Sequence, residues 1–451
     1  MVTTSSLIDL TYRRQKHSKE LKRLCVSFVA SLKACGKRKD LLEGSKLHEY
    51  IRSTGLHTDT YVGNTLISMY MKCSAFDKAW EVLYGISDRD VVSWSALISG
   101  YAQKGFGHEA LDSYEQMRTD GLSPNAFTYA CLLKACSITQ NVDMGKQIHE
   151  EIASQKLLEE DVILGNALVD MYAKFGALTK ARQVFDELSC RDTVSWSTLI
   201  AGYIHNGKNR EAVDFYEQMV SDRTLPDALT YTCILKACAA IGAVDRGKQL
   251  HDEIVARRIL GKNVILGTAL VDMYAKFGML NRAQEVLNEL SVRSVASWNA
   301  LISGYVQQGL GKEALDAFNK MRNEGLTPTI ITYTSVLKAC GIMKEVEAGK
   351  QVHYEVFRLG YLGKDPRLSA ALIDMYVKCG LLDKAEQMIS DLPIKNVGCW
   401  NALLAGYAEQ GQSNEAWDSY ERMCREGLSE DTVTYGHLVE SCRSIDAANW
   451  S

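Results

Sequence analysis

The chain has 451 residues, 46% hydrophobic and 24% charged, with five prolines and a net charge of −4. That composition is globular and supplies a long core, which excludes a disordered chain, and no run of about 18 apolar residues occurs, so no membrane span is expected. The slight acidity is not that of a nucleic-acid binder recognisable by its isoelectric point; a polyanion-binding face would require charge segregated onto one surface.

The first 24 residues are basic. Arg13, Arg14, Lys16, Lys19, Lys22 and Arg23 come after a run of Ser and Thr, which reads either as the remnant of a transit peptide or as a cap on the first repeat. From residue 25 onward the chain is an array. "VILGNALVDMYAKFG" at Val162 returns as "VILGTALVDMYAKFG" at Val264, 102 residues on, and the segments from Ser93, Ser195, Ser297 and Cys399 obey the same offset. Self-similarity at a fixed offset marks a solenoid. Each 102-residue unit holds three related modules: long (36 residues), short (31) and standard (35). In order they are long 25–59, short 60–90, standard 91–125, long 126–161, short 162–192, standard 193–227, long 228–263, short 264–294, standard 295–329, long 330–365, short 366–396 and standard 397–431. Residues 432–451 open a further long module and leave it incomplete.

Each module reads as a helical hairpin. In the standard module at Val91, Leu97, Ile98 and Tyr101 recur at helical spacing. Gly105, Gly207, Gly309 and Gly411 are placed to end the first helix, where positive φ is needed. Ala110, Leu111 and Met117 mark the second helix, and Pro124, Pro226 and Pro328 fall in the turn to the next module. Position 20 is Ala in the standard and short modules, as at Ala110 and Ala79, and Gly in the long ones, as at Gly44, Gly145, Gly247 and Gly349. A small residue there is expected to let the two helices of a hairpin cross closely, because a larger one would overpack the contact. The thirteen cysteines form no C-x-x-C pair and recur in apolar positions, as at Cys35, Cys136, Cys238, Cys340 and Cys442. Reduced, buried thiols are expected.

Positions 2, 5, 9 and 13 of the first helix, three or four apart, form one stripe. Position 2 is mostly apolar: Val92, Phe127, Ile163, Val194, Leu229 and Ile265. Position 5 is small and polar: Asn64, Ser95, Asn166, Ser197, Thr232, Thr268, Asn299, Thr334 and Asn401. Position 9 is lysine in the long modules, including Lys134, Lys236 and Lys338, and position 13 is lysine in the short ones, Lys72, Lys174, Lys276 and Lys378. An apolar wedge, a hydrogen-bonding group and a lysine suit a stacked base followed by a phosphate. Asp170, Asp272 and Asp374 at position 9 of short modules dilute that charge.

The module "VVSWSALISGYAQKGFGHEALDSYEQMRTDGLSPN", with its long and short companions, resembles the pentatricopeptide-repeat family, and the triplet order resembles its plant-type subclass. The resemblance covers residues 25–451. It implies an all-α fold, a right-handed α-solenoid of about twelve full repeats plus a partial one, that binds single-stranded RNA at about one base per repeat. It further implies that position 5 and the last residue of each repeat select the base. The pairs are then Asn64/Asp90, Ser95/Asn125, Asn166/Asp192, Ser197/Asp227, Thr232/Asn263, Thr268/Ser294, Asn299/Thr329, Thr334/Asp365 and Asn401/Asp431. The family's pairing rule, carried onto them, gives an RNA of the form 5′-nUAnUGnRYnnU-3′. The long repeats obey that rule poorly. The resemblance also implies work in a mitochondrion or chloroplast, in RNA processing and specifically recognition of C-to-U editing sites, with the deaminase supplied by another protein. The alternatives are RNA binding that only shields or remodels the transcript, and a protein-binding scaffold of the tetratricopeptide type, which shares the hairpin and its alanine.

No catalytic set, metal site or cofactor is expected. His149, His251 and His353 each begin an H-x-E triplet, but zinc deaminase chemistry also needs a P-C-x-x-C partner, and the sequence has none. With His48 they occupy one repeat position and suit packing. Trp94, Trp196, Trp298 and Trp400 at position 4 are expected in the hairpin core rather than as stacking platforms.

Overall fold

The structure, a computed structural model, describes residues 23–159, 161–261, 263–393 and 395–448. The arginines and lysines of the basic segment before Arg23 lie outside the described residues. Among the described residues every regular element is helical, and the fold is an all-α helical-repeat solenoid. The first helices of successive hairpins begin at Thr60, Val91, Ala126, Val162, Thr193, Ala228, Val264, Val295, Ile330, Pro366, Val397 and Thr432, the residues that open the modules in the sequence.

These starts have a local cause. The residue before each is Asp, Asn, Ser or Thr, and its side-chain oxygen accepts a backbone N–H of the first turn. Such a cap satisfies one of the four donors that a helix leaves open at its start. At Asp90, Asp192, Asp227, Ser294 and Thr329 the hydroxyl of the third helical residue reaches back to the cap's own N–H, completing a capping box. The first helices of the standard repeats stop where the chain turns left-handed, at Gly105 (φ 87°) and its counterparts Gly207, Gly309 and Gly411.

The chain divides into two compact units, 1–225 and 226–451. Inside the first, the helix Thr60–Lys72 packs on Val91–Lys104, that helix on Ala126–Thr139, and the series continues through Val162–Lys174 to Thr193–His205. The second repeats this from Ala228–Ile241 to Thr432–Ala448. The core is the inner face of these stacks. Leu97, Ile98, Leu168, Val169, Leu270, Val271, Leu301 and Ile302 are fully buried, and so are Trp94, Trp298 and Trp400, with Trp196 nearly so. The indole N–H of Trp94 donates to Asp120 at 3.2 Å and that of Trp298 to Glu324 at 2.9 Å, so these rings are hairpin core. The thirteen cysteines are free thiols; burial raises Cys136 and Cys340 to about 12 and Cys238 to about 11.

The small residue at position 20 is buried throughout, with Ala79, Ala110, Ala181, Ala212, Ala283, Ala314, Ala385 and Ala416 fully enclosed. In the long repeats what crowds it is not the partner helix of its own hairpin but the next repeat. A Cβ on Gly145 would lie 2.7 Å from the Met171 sulfur and 2.9 Å from the Phe175 ring, and one on Gly247 would meet Met273 and Phe277 at 2.7 and 2.8 Å. The glycines therefore set the spacing between repeats, which reading each hairpin on its own did not foresee.

Candidate nucleic-acid interface

Position 2 of the first-helix stripe lies at the surface, whereas position 5 is recessed: Ser95, Asn166, Ser197, Thr232, Asn299 and Asn401 are all buried. Val92, Phe127, Ile163, Val194, Leu229 and Ile265 are all more than half exposed, Ile163 at 74% and Ile265 at 70%. Apolar side chains at one repeat position, left in water repeat after repeat while their neighbours are buried, are the unusual observation. In the N-terminal unit two of them line a groove of about 720 Å³ together with Tyr61, Asn64, Ser95 and Asn125. In the C-terminal unit a groove of about 470 Å³ is lined by Ile265, Ile331, Thr232, Thr268, Ser294 and Asn299. Each groove thus gathers position 2, position 5 and closing residues from successive repeats.

Position 5 and the closing residue meet by hydrogen bonding, directly or through a relay, in the short and standard repeats other than 193–227 and 366–396; position 5 of the latter is Ala370. The Asn64 amide donates to the Asp90 carboxylate at 3.3 Å, and that of Asn401 to Asp431 at 3.1 Å. Asn166 makes the same bond to Asp192. Asn299 donates to the Thr329 hydroxyl at 3.3 Å. Ser95 reaches Asn125 through a relay, since its hydroxyl lies 2.6 Å from that of Thr128, which donates to the Asn125 side-chain Oδ1 at 2.8 Å. The Thr268 hydroxyl donates to the Val264 carbonyl at 2.8 Å and sits 3.4 Å from Ser294. Ser197 and Asp227 belong to different units; Ser197 donates to the Thr193 carbonyl at 2.7 Å, and Asp227 caps its helix. The long-repeat pairs are not joined among the described residues. Thr232 and Thr334 bond back to the carbonyls of Ala228 and Ile330, Asn263 caps its helix, and Asp365 is held by the Arg367 guanidinium.

Every closing residue caps a helix, and in the short and standard pairs that are joined it is also the partner of position 5. At Asp90 all of these contacts fall on one oxygen: Oδ1 accepts from the Ser93 N–H at 2.8 Å, from the Ser93 hydroxyl at 2.9 Å and from Asn64. Its Oδ2 takes part in none of these bonds. At Asn125 the cap also uses Oδ1, with the Thr128 N–H at 2.9 Å, and what remains is the Nδ2 donor. Partial burial raises the Asp90 and Asp192 carboxyls, but the bonds from Ser93 or Ser195 and from the asparagine outweigh it and hold both below the usual range. The capping role was visible in the sequence as the restriction of every closing residue to Asp, Asn, Ser or Thr.

The lysines divide into two groups. Lys134, Lys236 and Lys338 are exposed and have no acidic partner among the described residues. Lys174, Lys276 and Lys378 pair with Asp170, Asp272 and Asp374 one turn earlier, at 2.6, 2.8 and 2.8 Å. Lys72 has no such partner. Lys33, Lys37 and Lys104 join it along the N-terminal groove; Lys37 and Lys104 escaped the repeat pattern because their positions are not lysine in most modules.

The four histidines lie away from this face. Their Nδ1 atoms sit 2.8–2.9 Å from the hydroxyls of Tyr70, Tyr172, Tyr274 and Tyr376, joining the second helix of each long repeat to the first helix of the following short one. No cluster of His, Cys, Asp or Glu among the described residues could hold a metal, and no described helix is long and apolar enough to cross a membrane.

The PPR repeat family model matches residues 89–137, 191–240, 293–341 and 395–443, and a PPR repeat model matches 64–91, 166–192, 268–295 and 370–397. The chain belongs to the pentatricopeptide repeat family. A chloroplastic pentatricopeptide repeat-containing protein of Arabidopsis thaliana is 34% identical over 93% of this chain and 67% of its own length. A mitochondrial one from the same plant is 32% identical over 98% of this chain but only 42% of its own length. The chain spans about half the length of several of the curated pentatricopeptide relatives it matches. Among solved pentatricopeptide structures, PPR10 from maize aligns over 93% of this chain and 86% of its own, with 18% identity and a TM-score of 0.41; PPR10 has also been solved in complex with an 18-nt psaJ RNA element.

Proposed function

We propose that this chain is a non-catalytic binder of single-stranded RNA that reads about one base per short or standard repeat. The observation that carries the reading is the make-up of the two grooves: exposed apolar side chains of position 2 line them together with polar position-5 and closing residues. An aliphatic or aromatic wedge on either side of a base supplies stacking area without regard to sequence. The pair between the wedges then addresses the Watson–Crick edge of the base.

The chemistry of the closing residue comes from its cap. With Oδ1 committed to the helix, an aspartate offers a second acceptor, which suits the ring N–H of uracil or guanine. An asparagine offers a donor, which suits the ring nitrogen acceptor of adenine or cytosine. Position 5 adds the choice of ring size: the longer Asn amide reaches a pyrimidine, and the shorter Ser or Thr leaves room for a purine. By the pairing rule that the family resemblance implies, with which this chemistry is compatible, Asn64/Asp90, Asn166/Asp192 and Asn401/Asp431 take U, Ser95/Asn125 takes A, Ser197/Asp227 takes G, Asn299/Thr329 takes a pyrimidine and Thr268/Ser294 a purine. The site of action is a chloroplast or mitochondrion, in keeping with the compartments in its relatives' names. The task is recognition of a site for RNA processing, with C-to-U editing, by a deaminase acting in trans, as its most specific form.

Selection from a randomised RNA pool with the purified chain tests this. Enrichment of U, A, U and G at the spacing 5′-nUAnUG is the expected result. A pool that emerges without those bases, or tight salt-insensitive binding to peptides instead, would sink it.

A further inference from the structure

The short repeats carry the same lysine at their thirteenth position, but not the same residue at their ninth. Asp170, Asp272 and Asp374 stand one helical turn before Lys174, Lys276 and Lys378 and pair with them. In the repeat 60–90 the ninth residue is Ser68, and Lys72 is left unpaired among the described residues. The groove around it holds Lys33, Lys37, Lys72 and Lys104 and is lined by no carboxylate. The groove of the C-terminal unit is lined by one lysine, Lys236, and by Asp272. In the N-terminal groove the Lys104 ammonium is also fixed in place: it donates to the Lys72 carbonyl at 3.1 Å and to the Ser74 hydroxyl at 2.8 Å.

An aspartate one turn before its lysine keeps a negative charge beside any phosphate that approaches that lysine. A phosphodiester docking on Lys174 would lie beside the Asp170 carboxylate, and repulsion from one cancels attraction to the other. We propose that the ninth residue of each short repeat decides whether that repeat grips the RNA backbone, and that in this chain the grip is concentrated where Ser68 stands. This rests on the proposed RNA reading and deepens it. The ligand is the phosphodiester chain of a single-stranded polynucleotide. The paired short repeats take part in base selection without anchoring the strand, and the groove of Lys33, Lys37, Lys72 and Lys104 supplies the electrostatic hold.

The test is a titration of the full chain with a labelled RNA oligonucleotide containing 5′-UAnUG, at several salt concentrations, beside the same RNA with single base changes. Ser68→Asp should weaken binding roughly fivefold at about 0.1 M salt and flatten the slope of log K against log salt by about 0.7, the loss of one phosphate contact on a single strand. Asp170→Ser should do the reverse, and neither should alter the base preferences. Lys72→Ala should flatten the slope in the native background and have no effect on top of Ser68→Asp. Slopes unchanged by Ser68→Asp and Asp170→Ser, with base preference intact, would overturn this inference and leave the RNA reading standing. A native chain without salt-dependent, base-selective binding would overturn both.

Discussion

The short repeats 162–192 and 264–294 begin with fifteen residues that differ at one place, Asn166 against Thr268. Nearly everything around that place is duplicated. A Cβ on Gly165 would lie 2.3 Å from Leu188, and one on Gly267 2.6 Å from Leu290. His149 meets Tyr172 as His251 meets Tyr274, and Lys174 pairs with Asp170 as Lys276 does with Asp272. Yet the groove atoms differ. Asn166 leans its amide on the Asp192 carboxylate, while its own Oδ1 is buried without a partner. Thr268 turns its hydroxyl to its own helix and faces another hydroxyl, Ser294. The duplicated framework and the position proposed to read a base are thus separate residues on one helix, and the closing residue that caps the next helix is also the proposed second reader.

The largest effects should come from the shared framework and should be equal in both repeats. Gly145→Val and Gly247→Val drive a branched side chain into the Met–Phe pair of the next repeat, and each should cost about 2–3 kcal/mol. Urea unfolding measures this, and a loss confined to one of the two would break the equivalence. Next comes the reader. Asn166→Thr with Asp192→Asn should move the preference of that repeat from U to A by about 1–2 kcal/mol, with stability unchanged because asparagine caps as well as aspartate. Competition binding with U- and A-containing RNAs measures the shift. Asp192→Ala should instead lose the base preference together with about 1 kcal/mol of stability, the value of a cap.

The smallest effect is expected from pH. Burial pushes the imidazoles of His48, His149, His251 and His353 below their usual 6.5. The folded chain thus disfavours the protonated ring, so this stability is complete above about 6.5 and is lost as pH falls through the folded values. Thermal melts by circular dichroism between pH 7.5 and 5.5 should show a falling midpoint. His251→Gln with His149→Gln should flatten that fall, and an equally steep one would remove the His–Tyr contacts as its cause.

Much of the fold was legible because it is local. Helix starts come from cap residues, helix ends from a left-handed residue, and the buried face from spacing within about 14 residues; all are properties of a short segment, repeated often enough to be unmistakable. The stripe proposed to meet RNA could be drawn for the same reason, since three- and four-residue spacing puts Ile163, Asn166, Asp170 and Lys174 on one side of a helix whatever surrounds it. The purpose of the position-20 glycine was not legible. Gly145 lies 26 residues from Met171, and which side chain fills the space above a glycine depends on how one hairpin settles on the next. The same holds for Ser95, whose tie to Asn125 runs through Thr128.

The amino-acid order by itself determined where the first helices start, the helical state of the segments and the positions that vary on a constant background, because these depend on propensities and periodicities within a single module. Only the tertiary structure decided that one oxygen of Asp90 takes both the helix cap and the bond from Asn64. It also decided which repeat a glycine makes room for, and which lysines gather without a carboxylate among them. Those outcomes depend on contacts between modules, whose geometry comes from side-chain packing and is not encoded in any one stretch of sequence.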